Sequence, residues 1–175
     1  MKIVAPDAYG VNPGDLDWDV FEALGDLRVV SRSAPDTVDD AMRDADAVVV
    51  DNVVFNAERF ARLSRLRYLG LFSTGYDQVD LAAAAAHGVA VTNIPAYSTA
   101  SVAQLTIALI LNLAHQVDRY DRIVHRGDWR NGHPVRYLER PMVELAGKEI
   151  AVIGYGAIGR AVAAAAAALG MRLLG

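Results

Sequence analysis

An apolar run that ends in Gly154-Tyr-Gly156-Ala-Ile-Gly159 and passes straight into an alanine-rich segment narrows the fold of this chain more than any other feature. Three glycines at that spacing, after a strand and at the start of a helix, have separate physical tasks. Gly154 permits a tight turn, Gly156 lets the backbone approach a pyrophosphate, and Gly159 lets the helix close onto the strand. The helix N-terminus adds unpaired amides and a favourable dipole. The expectation is a βαβ unit that cradles a dinucleotide. A glycine-rich turn in a different α/β protein, including a methyltransferase that binds S-adenosylmethionine, stays open. The acid that commonly holds the ribose about 20 residues further on would fall at or past Arg172-Leu-Leu-Gly175, which contains none.

Upstream, short apolar runs alternate with helical stretches. Strands are expected over Lys2–Ala5, Leu27–Val30, Ala47–Val50, Arg67–Phe72, Val89–Asn93 and Lys148–Ile153. Helices are expected over Leu16–Leu24, Thr37–Ala45, Asn56–Leu66 and Asp80–His87. Most of the strand runs lack polar alternation, the pattern of a parallel sheet covered on both faces, and the alternation of elements gives an α/β fold. A longer helix interrupts the rhythm. Ser101-Val-Ala-Gln104 fits a capping box, so this helix should start near Ser98 to Ser101. Its Val102–Ala114 stretch is apolar on nearly every side and is expected to be buried all round. From Val117 on, the pattern of a half-exposed end follows, and Arg126 to Leu138 reads as an arm or loop. The domain boundary is placed near Tyr97, giving regions 1–97 and 98–175, with the long helix as the crossover.

Several classes of function are excluded by composition. A net charge of −4 with interspersed signs gives no basic face for nucleic acid. The absence of cysteine removes disulfides, thiolate catalysis and thiolate metal sites. No secretory signal or long apolar span is evident, so a soluble, cytoplasmic protein without a membrane partner is expected. Among candidate site residues, Ser73-Thr74-Gly75 follows a strand and can present amides to a carboxylate. An ordinary βα turn, with Asp77 or Asp80 capping the next helix, is the other reading. Asn52, at the end of the Val48–Val50 run, is a site candidate or a turn asparagine. His87, His115, His125 and His133 show no metal-ligand spacing and no recognisable acid pairing, so no catalytic or metal residue is assigned. Trp18, Trp129 and Tyr137 read as packing or interface residues.

Five segments in order then give a resemblance. Leu71-Phe-Ser-Thr-Gly-Tyr-Asp-Gln-Val-Asp-Leu81, Val91-Thr-Asn-Ile-Pro-Ala-Tyr-Ser-Thr-Ala-Ser-Val-Ala-Gln104, Gly127-Asp-Trp129, Leu145-Ala-Gly-Lys148 and Val152 to Gly159 together resemble the D-isomer-specific 2-hydroxyacid dehydrogenases, in the glycerate dehydrogenase or hydroxypyruvate reductase branch. The resemblance implies a flavodoxin-like parallel-sheet substrate domain followed by the start of a Rossmann NAD-binding domain. It implies that Ser73, Thr74 and Gly75 bind the carboxylate of a small 2-keto or 2-hydroxy acid, with Thr74 also near the cofactor and Asn52 at the substrate. Val53 follows Asn52 where this branch often has a lysine. Gly154, Gly156, Ala157, Ile158 and Gly159 would cradle the pyrophosphate of NAD or NADP. Thr106 would approach the nicotinamide, or else bond a carbonyl one turn back. Gly127 to Leu145 resembles an arm that wraps around a partner in a homodimer.

The resemblance also implies residues that these 175 do not contain. The family's substrate arginine and acid-supported histidine belong to a later part of its pattern, as do the ribose acid and the remaining strands. The expectation is a truncated form, inactive by itself, with an apolar edge left uncovered. A binding or regulatory module, or a subunit completed by a separate chain, is the alternative. The fold of the family also serves a dinucleotide-sensing corepressor.

Overall fold

In a computed structural model of the protein, residues 1–34, 37–128, 130 and 141–174 are described. The chain divides into two compact units, Met1–Pro95 and Ala96–Gly175.

The first unit is built on strands β1 (Lys2–Ala5), β2 (Asp26–Val29), β3 (Ala47–Val50), β4 (Tyr68–Leu71) and β5 (Ala90–Thr92). All pairings are parallel, in the order β2-β1-β3-β4-β5. This is the flavodoxin-like order, with its switch point between β1 and β3. The central strand shows why the sequence chooses it. Every residue of β3 is buried. Val48 and Val50 join one core cluster with Met42, Phe55, Phe60 and Leu66, while Ala47 and Val49 join another with Ile3 and Ala5. An unbroken apolar run is what two covered faces demand.

Helices α1 (Asp19–Glu22), α2 (Val38–Met42), α3 (Ala57–Arg62) and α4 (Leu81–Ala86) connect the strands. Two have side-chain caps: Asn56 Oδ1 accepts from Arg59 N at 2.9 Å, and Asp80 Oδ1 accepts from Ala83 N at 2.9 Å. Each satisfies an amide the helix cannot. The helix expected over Leu16–Leu24 shrinks to the single turn of α1. Asn12 holds the preceding loop, its Oδ1 accepting from Gly14 N and Leu16 N and its Nδ2 donating to Leu16 O. Of these groups, the Leu16 carbonyl is the one a helix begun at Leu16 would use. Leu16 is consequently exposed, while Trp18 and Phe21 pack beside Phe72 under the second cluster.

The second unit contains α5 (Thr99–His115), α6 (Val117–His125), and then β6 (Glu149–Ala151), α7 (Ala157–Ala168) and β7 (Arg172–Leu174). Strands β6 and β7 pair in parallel across α7, a βαβ unit. Helix α5 departs from expectation in three ways. It starts where expected, with Ser98 as N-cap, but no side chain caps it, so the Ser101 box does not form. It is not buried all round: Ala103 and Ala114 are, but Leu105, Leu109 and Leu113 are 60%, 55% and 79% exposed. Composition set that expectation, yet the surface available from α7 covers only one side of a 17-residue helix. The helix also breaks at Gln116, which adopts a left-handed conformation (φ 54°), so α5 and α6 meet at 59°. Among the described residues no single helix is long and apolar enough to cross a membrane. Of the expected arm, residues 129 and 131–140, including Trp129, His133 and Tyr137, lie outside the described residues.

Candidate functional site

In the first unit the candidate residues collect at the C-terminal edge of the sheet. Asn52 follows β3, and Ser73, Thr74 and Gly75 follow β4, its neighbour. Gln78 Nε2 donates to Asp51 O at 2.8 Å, tying the two loops together. Asn52 Nδ2 donates to Asp51 Oδ2 at 2.9 Å. With Asp7, Ser33, Val38, Val53, Val54 and Arg59, Asn52 lines a hollow of about 270 Å³ at the ends of β1 and β3. That is the switch point, where successive crossovers go to opposite faces and leave a crevice.

The loop after β4 is held from within and from β5. Ser73 Oγ donates to Gly75 O at 2.8 Å, and Thr74 Oγ1 donates to Ile94 O at 3.1 Å. Ile94 N donates to Ser73 O at 3.0 Å, and Asn93 Nδ2 donates to Thr74 O at 2.8 Å. The loop's carbonyls are thus engaged, while the amides of Thr74, Gly75 and Tyr76 donate to no acceptor among the described residues. Thr74 and Gly75 are exposed. Three consecutive amides without an acceptor among the described residues, on a braced loop, can donate to an anion. Asn93 and Tyr76, with Leu81, Val91 and Thr92, line a small hollow of about 170 Å³ beside it.

In the second unit the glycine turn has the properties its spacing implies. Gly154 has φ 93°, open to glycine but strained for other residues. A Cβ on Gly159 would lie 2.1 Å from Gly154 O, so helix and turn are in backbone contact there. A Cβ on Gly156 would meet nothing within 4 Å, which leaves that side of the turn clear for an approaching group. Arg160 N is the first helix amide to find a carbonyl, that of Gly156, at 3.0 Å. The amides of Ala157, Ile158 and Gly159 have no acceptor among the described residues. Clear space, free amides and a 12-residue helix dipole fit a pyrophosphate. Thr106 Oγ1 donates to Val102 O at 2.8 Å, one turn back on α5.

Among the described residues the histidines contain one acid pairing that the sequence pattern did not single out. Asp121 and His125 are four apart on α6, and their Oδ1 and Nδ1 lie 3.2 Å apart. Helical periodicity was the available signal. Both side chains are well exposed, so the pair lacks the desolvated setting of a proton donor. His87 Nδ1 lies 2.8 Å from Ala83 O, and its ring stacks on Phe60. Asn93 was also missed, although its position directly after a strand adjoining the Ser73 loop was a usable signal. Among the described residues no group of three or more potential metal ligands occurs.

Comparison with known proteins adds an independent line. The family model described as D-isomer specific 2-hydroxyacid dehydrogenase, catalytic domain, matches residues 12–171. A hydroxypyruvate reductase of Blautia hydrogenotrophica is 41% identical over 177 residues, covering 99% of this chain and 55% of that protein. A glycerate dehydrogenase of Methylorubrum extorquens is 33% identical over 140 residues, covering 80% of this chain and 45% of the relative. Among solved structures, an NADPH-dependent glyoxylate/hydroxypyruvate reductase of Sinorhizobium meliloti, in complex with NADP and malonate, superposes with a TM-score of 0.74 at 26% identity. The match covers 98% of this chain and 51% of that one. The chain therefore spans about half the length of the curated relatives it matches.

Proposed function

This chain belongs to the D-isomer specific 2-hydroxyacid dehydrogenases, and we propose that it supplies the carboxylate-binding loop and the phosphate turn of an oxidoreductase acting on a small 2-keto acid. The reaction is hydride transfer from NADH or NADPH to the ketone carbon, with a proton delivered to the oxygen. The observation that carries the reading is the row of unpaired amides at Thr74, Gly75 and Tyr76 on a braced, exposed loop. Such a row fits a substrate carboxylate as the peptide nest fits other anions. Asn52, on the adjoining strand end, is assigned to the remainder of the substrate. Hydroxypyruvate or glyoxylate is the proposed substrate, in keeping with the names of the relatives. Gly154, Gly156, Ala157, Ile158 and Gly159 are assigned to the cofactor pyrophosphate, with Thr74 and Thr106 toward the nicotinamide. A homodimer in the cytoplasm belongs to the same reading.

These 175 residues by themselves are proposed to bind without turning over. A general acid contributes about 10²–10⁴-fold to such a step, and no described histidine is both desolvated and paired with an acid. The test is NADH and NADPH oxidation with hydroxypyruvate and glyoxylate, beside calorimetric titration of the same chain with each nucleotide. Nucleotide binding without turnover is expected. Turnover at ordinary enzyme rates would overturn the second claim, and no affinity for either nucleotide would overturn the assignment of the glycine turn. Binding of S-adenosylmethionine in preference would replace it.

A further inference from the structure

We infer that Asn93 is a positioning residue for the carboxylate loop: its side chain aims the Gly75 amide. The inference rests on the functional reading of that loop given above. A trans peptide unit is planar, with its C=O and N–H pointing in opposite directions. Whatever fixes a carbonyl therefore fixes the next residue's N–H to point away from the group that holds it. The loop contains three such fixed units in succession. Ile94 N holds Ser73 O at 3.0 Å, which aims the Thr74 N–H. Asn93 Nδ2 holds Thr74 O at 2.8 Å, which aims the Gly75 N–H. Ser73 Oγ holds Gly75 O at 2.8 Å, which aims the Tyr76 N–H.

The three clamps differ in kind. The Ile94 amide is backbone and follows from strand β5, next to β4 in the sheet. The Ser73 hydroxyl belongs to the loop itself. Asn93 is the side chain from outside the loop that grips the central unit, and the Thr74 hydroxyl returns a bond to Ile94 O at 3.1 Å. Gly75 is the residue that most needs a clamp. Without a Cβ its backbone has the widest freedom of the three, and that freedom is what the anion would otherwise have to restrict. A preorganised donor binds more tightly than a mobile one because the ordering cost is met before the ligand arrives. Asn93 then acts through Thr74 and Gly75 and touches no substrate atom.

The test uses oxamate, an unreactive 2-keto acid isostere, titrated into the full chain while backbone ¹⁵N shifts are followed. In the natural protein the amides of Thr74, Gly75 and Tyr76 should shift together on saturation. Asn93→Ala and the isosteric Asn93→Asp, which lacks the donor, should weaken oxamate binding about tenfold, the scale of one charge-assisted hydrogen bond. The Gly75 amide should already be displaced in the free variants, with the thermal midpoint nearly unchanged. Asn93→His restores a donor near the same place and should recover most of the affinity, a rescue that a purely structural role would not produce. Equal oxamate affinity in the natural protein and both donor-less variants would overturn the role of Asn93 alone. No oxamate response in the natural protein would overturn the functional reading as well.

Discussion

Replacing Gly159 with alanine should drive helix α7 off the strand it closes onto. The added Cβ would lie 2.1 Å from Gly154 O, 3.1 Å from Gly154 C and 3.2 Å from Val152 Cγ1. A relaxed carbon–oxygen contact is about 3.3 Å, so turn and helix must part by about 1.2 Å, the difference between that value and 2.1 Å. The obstacle is backbone, which has no rotamer to yield. Overpacking costs about 1–3 kcal/mol, and a rigid carbonyl places this site at about 2–3 kcal/mol. For a unit of 80 residues, Ala96 through Gly175, each kcal/mol moves the midpoint by about 4–8 °C. A fall of about 8–24 °C in the Tm of this unit, read by circular dichroism, is therefore expected. Gly156→Ala is the matched control. Its Cβ meets nothing within 4 Å and its φ is −78°, so Tm should barely change. The methyl would nevertheless stand in the proposed pyrophosphate site, and NADPH affinity should fall about tenfold or more. A Gly159→Ala protein melting within about 2 °C of the natural one, or unaltered NADPH affinity in Gly156→Ala, would refute the reasoning.

Asp46 is expected to make the first unit sensitive to acid. Its carboxyl is held below the usual carboxylate range first by the Lys2 backbone N–H and then by Arg65. A folded value below the unfolded one means the stabilisation is complete above the ordinary pKa of about 3.9 and is lost as pH falls through the folded value. Asp46→Asn should flatten the acid limb of a Tm-versus-pH curve, and an unchanged limb would contradict the assignment. Phe60 is 1% exposed, so Phe60→Ala should cost about 3–5 kcal/mol in urea unfolding; a loss under about 1 kcal/mol would mean the core cluster is misplaced. Asp80→Ala removes the cap on Ala83 N and should cost about 1 kcal/mol. Asp80→Asn, which keeps an acceptor oxygen, should cost less than half of that, and equal losses would discount the cap.

The parts of this molecule that were legible in the sequence are those fixed by local chemistry. Val48 to Val50 could only be a strand covered on both faces, and the glycines at 154, 156 and 159 announced a turn with a close helix. Of the two acids that could cap the helix after the Ser73 loop, Asp77 and Asp80, it is Asp80 that does so. The failures share a different cause. The exposure of Leu105, Leu109 and Leu113 depends on what surrounds α5, and residue type does not record that. The break at Gln116 uses a left-handed residue that is neither glycine nor asparagine, so no breaker marked it. The shortened α1 goes with Asn12 capturing the Leu16 carbonyl four residues away. Asn93 was overlooked because its contact, with Thr74 O, joins residues 19 apart that only the pairing of β4 with β5 brings together.

The central claim is that the loop after β4 binds a carboxylate through its backbone. A crystal structure of the chain grown with oxamate and NADPH tests it most directly. The account expects the oxamate carboxylate within about 3.1 Å of the Thr74 and Gly75 amides, with the Asn93–Thr74 bond intact. Oxamate seated elsewhere, or a loop whose amides turn inward to protein carbonyls, would contradict it.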